Sequence, residues 1–449
     1  MCIKDLNNGV KIRRMIKLED ILSSSNVGTA YSQVVSNGGA AGIDKMKTEE
    51  LEAHLNANWA TLKSKIESGT YHPSAVRRVE IPKANGGIRQ LGIPTVFDRM
   101  LQQAIGQELS KYYEPHFSDY SYGFRPKRSC HDALDTALDY LNAGNVYMVE
   151  IDLSKFFDRV NHDRLMYRLS ESITDKEVLR LIRRYLQSGV MENGVLQKTK
   201  EGTPQGGNLS PVLSNIVLDE LDKELELRGH RFVRYADDIS IFVKSRRAGE
   251  RVLESVSAFI KNRLKLVVNR AKSGIYHYTK GGMLGFGFYK DAEGVKSRIL
   301  EKSYQRLRRK LKRFTSRSWS VTFDFRVTYI NSLIQGWISY YGKASGRARL
   351  RRIDEWLRRR LRMCIWKQWK VVSKRMRSLI QLGISKGQAY QWANTRKSYW
   401  RISKSPILQR TITTCRLEQR GYISIEKKYN RRHTILMNRR GTRTVCPVV

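Results

Sequence analysis

The chain has 449 residues, 41% of them hydrophobic and 10% aromatic, which is enough for two or three domains with apolar cores and excludes general disorder. Its formal net charge is +41, and residues 301–449 hold 38 Lys and Arg against 6 Asp and Glu, so a mildly basic, enzyme-like first part precedes a grip for a polyanion, nucleic acid before membrane. Cys2, Cys130, Cys364, Cys415 and Cys446 form no C-x-x-C pair, which argues against a disulfide framework or zinc site, and with no signal-peptide core and no long apolar run the expectation is a cytoplasmic protein without a membrane partner.

In chain order, residues 20–68 read as helical, broken at "SNGGAAGID". The stretch 76–95, "VRRVEIPKANGGIRQLGIP", reads as a β-hairpin turning at Asn85-Gly86-Gly87. Helices are expected near 97–115 and 129–143. "YMVEIDLSKFF" alternates as a strand with Asp152 at its end. Residues 162–189 return to helix, and "GTPQGGNLSPVLSNIVLDELD" opens as a Gly/Pro loop that enters a helix at Ser210-Pro211. "RFVRYADDISIFV" reads as a hairpin carrying Asp237 and Asp238. A helix near 247–264, a strand near 265–268 and a short strand pair around "GMLGFGFYK" follow. From about 300 the texture is helical and basic, with Leu350, Ile353, Leu357, Leu361 and Cys364 on one stripe.

Two adjacent carboxylates in so basic a chain ask for a positive partner. Like charges in contact raise each other's pKa, and a divalent metal removes the conflict. Nucleotidyl transfer uses two such ions about 3.5–4 Å apart, and one strand-end Asp plus a hairpin pair can supply their oxygen ligands.

"YADD" at 235–238 resembles the signature of reverse transcriptases, and "VEIDLSKFFDRVNHDRL" around Asp152 their first catalytic motif. "SYGFRPKRSCHDAL" (121–134), "GTPQGGNLSPVLSNIVLDELD" (202–222) and "LIQGWISYYG" (333–342) are close to the group II intron subfamily. The resemblance, to bacterial group II intron-encoded reverse transcriptase/maturases, covers roughly residues 20–425. It implies an α+β, right-hand polymerase. The N-terminal extension and start of the fingers would span 1–75, the fingers 76–145, and a palm with an antiparallel sheet 146–295. An all-helical thumb would follow at 296–372, and a basic DNA-binding/maturase domain at 373–449.

The same resemblance implies residue roles. Asp152, Asp237 and Asp238 would hold two Mg²⁺ ions, with Mn²⁺ able to substitute, and Lys272 would protonate the leaving pyrophosphate. Arg77, Lys83 and Arg89 would meet the triphosphate of the dNTP, Gln205 would brace the nucleotide, and Phe157 would exclude a 2′-OH. Arg125 would touch template or order the fingers. Gly206 would admit the template backbone, and Leu284-Gly285 would hold the primer. Expected partners are the group II intron RNA, an RNA template–DNA primer duplex, dNTPs and target DNA. The tail "KKYNRRHTILMNRRGTRTVCPVV" has one Cys and one His, so no endonuclease activity is expected. Two other readings stay open: a free-standing retron or defence-type reverse transcriptase, and a non-catalytic RNA-binding splicing cofactor.

Overall fold

A computed structural model describes residues 16–82, 86–192, 195–197, 201–203 and 206–441. Lys83 and Gln205 lie outside the described residues. The chain forms two compact units that divide between His277 and Tyr278.

The first unit holds strands β1 (Val76–Pro82), β2 (Ile88–Ile93), β3 (Tyr147–Asp152), β4 (Val190–Glu192), β5 (Val195–Gln197), β6 (Arg231–Tyr235), β7 (Asp238–Val243) and β8 (Gly274–His277). One sheet has the order β2-β1-β4-β5. Its β1–β2 hairpin is antiparallel, and β4 joins β1 in parallel only at Val76 and Arg77. Pro82, which has no N–H to donate, therefore sits past that junction.

The other sheet, β6-β7-β3-β8, is antiparallel throughout. Strand alternation divides its apolar residues between two faces. Val149, Ile151, Ile239 and Ile241 join the main core with Val252, Val256 and Ile260 of the helix Arg246–Asn262. On the opposite face Phe242 meets Tyr140 of the helix Cys130–Asn142 at 5.6 Å between ring centroids. A side chain on Gly249 would press against Ile275 and Val149, so this glycine lets the helix lie directly on the strands.

Two sequence expectations are corrected. The helix expected over 162–189 is two, His162–Ser170 and Lys176–Gln187, because Asp175 caps the second by accepting from the Glu177 and Val178 amides. The strand expected near 265–268 is one isolated bridge, Leu153 to Val268. Lys265 takes φ +57°, which breaks extended backbone. The pairing strand comes later, as β8.

The second unit opens with a small antiparallel sheet, β9 (Gly282–Met283), β10 (Phe286–Asp291) and β11 (Gly294–Ile299). Helices follow: Glu301–Phe314, Phe323–Tyr341, Arg347–Gln368, five shorter ones, and lastly Ile425–Gly441. Leu350, Ile353, Leu357, Leu361 and Cys364 are all buried, as their stripe requires. Asp354, fully buried, accepts from the Tyr422 hydroxyl, the Ser424 hydroxyl and the Ile425 amide, and pairs with Arg358. That carboxylate ties the last helix to the helix Arg347–Gln368. No described helix is long and apolar enough to cross a membrane.

Candidate active site

The register of the central sheet sets Asp152 opposite Asp238. Directly opposed residues of antiparallel strands have Cα atoms about 4.5–5.5 Å apart, so these carboxylates are neighbours. Tyr235 also pairs with Asp238, which leaves Ala236 and Asp237 as a two-residue turn. Ala236 takes φ +57°, the left-handed conformation that such turns demand and usually give to glycine. The three acids thus share one end of the sheet: one on β3, one opening β7, one on the tip between β6 and β7.

Their electrostatics follow from that crowding. Lost hydration, then the charges of Asp237 and Asp152, push Asp238 up to about 6, with Lys272 pulling back. Because Asp238 is itself exposed, water weakens the hydration contribution and the like charges are the firmer cause. Asp237 is also raised, by burial first and by Asp152, against Arg89 and Lys272. Lys272 Nζ lies 3.5 Å from Asp152 Oδ2. Its loop folds onto the end of β3, where the Asn269 amide donates to the Asp152 carbonyl at 2.8 Å and the Asp152 amide donates to Ser273 Oγ at 3.0 Å.

The first unit also has a cavity of about 270 Å³ lined in part by Arg78, Gln90, Gly92, Lys155, Phe157 and Thr203. Phe156 is buried in the core, and Phe157, edge-on to it at 5.2 Å, is only half-buried and faces the cavity. The Thr203 hydroxyl is buried and has no partner among the described residues. Arg77 turns elsewhere: Nε and Nη2 donate to the Ala41 carbonyl at 3.1 and 2.7 Å. Its neighbour Arg78 lines the cavity and pairs with Glu192 at 3.1 Å. Gly202 is held by His162, whose Nε2 donates to its carbonyl at 2.6 Å. A Cβ on Gly206 would come within 2.7 Å of the Gly92 carbonyl, so β2 already requires this glycine.

In the second unit, Leu284 and Gly285 form the turn between β9 and β10 with φ of +53° and +84°. The Tyr340 hydroxyl donates to the Leu284 carbonyl at 2.9 Å, and a Cβ on Gly285 would come within 2.7 Å of the Tyr341 hydroxyl. The "GWISYY" helix thereby fixes the turn.

Residues 81–288 match the family described as reverse transcriptase (RNA-dependent DNA polymerase), and residues 304–382 match the group II intron maturase-specific domain. Protein YkfC of Escherichia coli K12 is 32% identical over 61% of this chain and 81% of its own length. Group II intron-encoded protein LtrA of Lactococcus lactis subsp. cremoris is 30% identical over 70% of this chain and 68% of its own. The chain belongs to the group II intron-encoded reverse transcriptase/maturases. It is an RNA-directed DNA polymerase of the α+β reverse transcriptase fold, followed by a helical, RNA-binding maturase region.

A reverse transcriptase domain implies divalent-metal chemistry, and the donor set of this group II intron enzyme fits it. Three carboxylates at one sheet end offer hard oxygen ligands, and a cation would relieve the repulsion that raises Asp237 and Asp238. Among the described residues no three His, Cys, Asp or Glu side chains close around an ion by themselves.

Sequence reasoning missed the layer that supports the reverse transcriptase turn. Arg234, fully buried, gives Nε and Nη2 to Asp222, and Nη1 to Asn215 Oδ1 at 2.9 Å and to the Ala236 carbonyl at 3.0 Å. Asn215 Nδ2 donates to the Gly123 carbonyl at 3.0 Å. A Cβ on Gly123 would collide with the Ala236 backbone, which explains the glycine of "YGFRP". Residues 120–122 run beside β6, exchanging backbone hydrogen bonds of 2.9 Å with Arg234. Arg125 spends all its donors internally, on the Glu114 carboxylate and carbonyl and on the Ser118 and Ser121 carbonyls. The signal in the sequence was an arginine two residues before the turn, which resembles any strand arginine.

Proposed function

We propose that Asp152, Asp237 and Asp238 are the catalytic carboxylates of RNA-templated DNA synthesis and hold two Mg²⁺ ions, which Mn²⁺ can replace. The pairing of Asp152 with Asp238, one residue from Asp237, carries this reading. Bound ions would neutralise charge on the attacking and departing oxygens. Lys272, at Asp152, holds a proton for the leaving pyrophosphate. Arg89, felt by Asp237 across the site, meets the triphosphate together with Lys83, while Gln205 braces the nucleotide. Phe157 lies under the sugar and rejects a 2′-OH. Arg77 and Arg125 order the fingers by holding backbone carbonyls, Gly206 lets its loop meet β2, and the Leu284-Gly285 turn holds the primer end.

The matched maturase-specific region supports an intron-bound enzyme over a free-standing one. The protein binds its group II intron RNA, assists splicing that the RNA performs, and copies the intron into cDNA at target DNA. The test is extension of a DNA primer on an RNA template with dNTPs and Mg²⁺. Asp237→Ala lowers the rate by about 10³-fold or more, since several kcal/mol of charge stabilisation are lost, and leaves RNA affinity unchanged. Normal extension by that variant overturns the assignment.

A further inference from the structure

The second unit contains a cavity of about 560 Å³ whose walls include Lys312, Arg317, Arg360, Lys367 and Trp400, and no carboxylate. Four cations thus face one space. Arg360 is committed to the protein, with Nε on Thr315 Oγ1 at 2.5 Å and Nη2 on the Thr315 and Lys312 carbonyls at 2.9 and 3.2 Å. Arg317 and Lys367 both lie over the Tyr399 ring, at 5.6 and 5.1 Å, and they and Lys312 have no carboxylate partner among the described residues. Burial, and then the charges of Arg317 and Arg326, hold the Arg360 guanidinium below its ordinary range. Such crowding costs free energy until an anion enters.

The aromatic wall narrows the choice of anion. Arg359 stacks on Trp400 at 3.6 Å and donates to its carbonyl at 3.0 Å, which fixes the indole. Trp400 as a residue remains 36% exposed and lines the cavity. A fixed ring beside unpaired cations matches a phosphate with a free base attached. Duplex DNA keeps its bases stacked, whereas structured RNA offers bulged and looped ones. We infer that this cavity holds one unstacked nucleotide of a structured RNA, its phosphate among Lys312, Arg317 and Lys367 and its base against Trp400. The inference rests on the proposed function only in taking RNA as the partner.

The test uses the full chain and three probes: a short RNA hairpin with one bulged uridine, the same hairpin fully paired, and a DNA duplex of equal length. The wild-type protein binds the bulged hairpin roughly tenfold more tightly than the paired one, as one stacked base allows. Trp400→Ala abolishes that preference without weakening the paired hairpin, and Trp400→Phe, which keeps a ring on Arg359, retains most of it. Lys312→Gln with Lys367→Gln weakens binding of the bulged hairpin and lowers its log–log salt slope by about 1–2. Equal affinity of the wild-type protein for bulged and paired RNA overturns the inference, as does DNA-duplex binding equal to that of the bulged hairpin. Normal primer extension without bulge preference sinks the cavity alone. Bulge preference without extension sinks the polymerase assignment alone.

Discussion

The acidic end of the central sheet and the cationic cavity of the second unit are crowds of like charge with opposite sign, and they are built differently. The acids stand on paired strands and a two-residue turn, so hydrogen-bond register fixes their spacing. The cations reach their cavity on long side chains from helices and a loop. Chemistry that must align reacting atoms needs the first kind of support, while neutralising a phosphate tolerates the second. Both differ from Arg125 and Arg234, whose charges are buried and whose donors are consumed inside the fold.

The sharpest way to break this contrast is to remove a counter-charge where the pairing is complete. Asp222→Ala strands the Arg234 charge and lowers the stability of the first unit by about 3–5 kcal/mol, measured by denaturant unfolding. A loss below about 1 kcal/mol would place Arg234 with the crowded groups. Gly123→Ala comes next. Its methyl group displaces the Ala236 backbone, and a shift near 1 Å at the acids lowers primer extension about 10²-fold, with RNA affinity unchanged. The smallest effect has the opposite sign. The fold raises Asp238, so stability falls as pH climbs from the ordinary carboxylate range to about 6. Asp238→Asn therefore raises the melting temperature in chelator at pH 7 by about 1–3 °C, and a decrease would refute like-charge crowding there.

Strand alternation made much of the central sheet legible, because Val149, Ile151 and Asp152 read as one strand with an acid at its end. The motif strings singled out the three acids that the strand register brings to one end of the sheet. What they did not reveal is that the two aspartates of "YADD" differ in backbone role, since that depends on Ala236 adopting a positive φ. Nor did β4 and β5 announce themselves. Each is three residues long, and β4 forms by parallel pairing with residues more than a hundred positions earlier. The strand expected at 265–268 had the right apolar residues, and one left-handed lysine cancelled it. Arg77 and Arg78 are equivalent in sequence, and only the loop at Ala41 separates their tasks. Trp400 stands in a stretch that sequence alone does not mark out, and its stacking on Arg359 depends on two residues 41 positions apart.

The Asp354 clamp has a consequence for synthesis on the ribosome. Its hydroxyl partner on Tyr422 is made 68 residues later, a delay of roughly 3–14 s at about 5–20 residues per second. Until then the carboxylate has no reason to leave water, so the nascent second unit stays open while the polymerase sheet can already close. Stalling translation between Asp354 and Tyr422 would therefore yield a protease-sensitive tail behind a compact front.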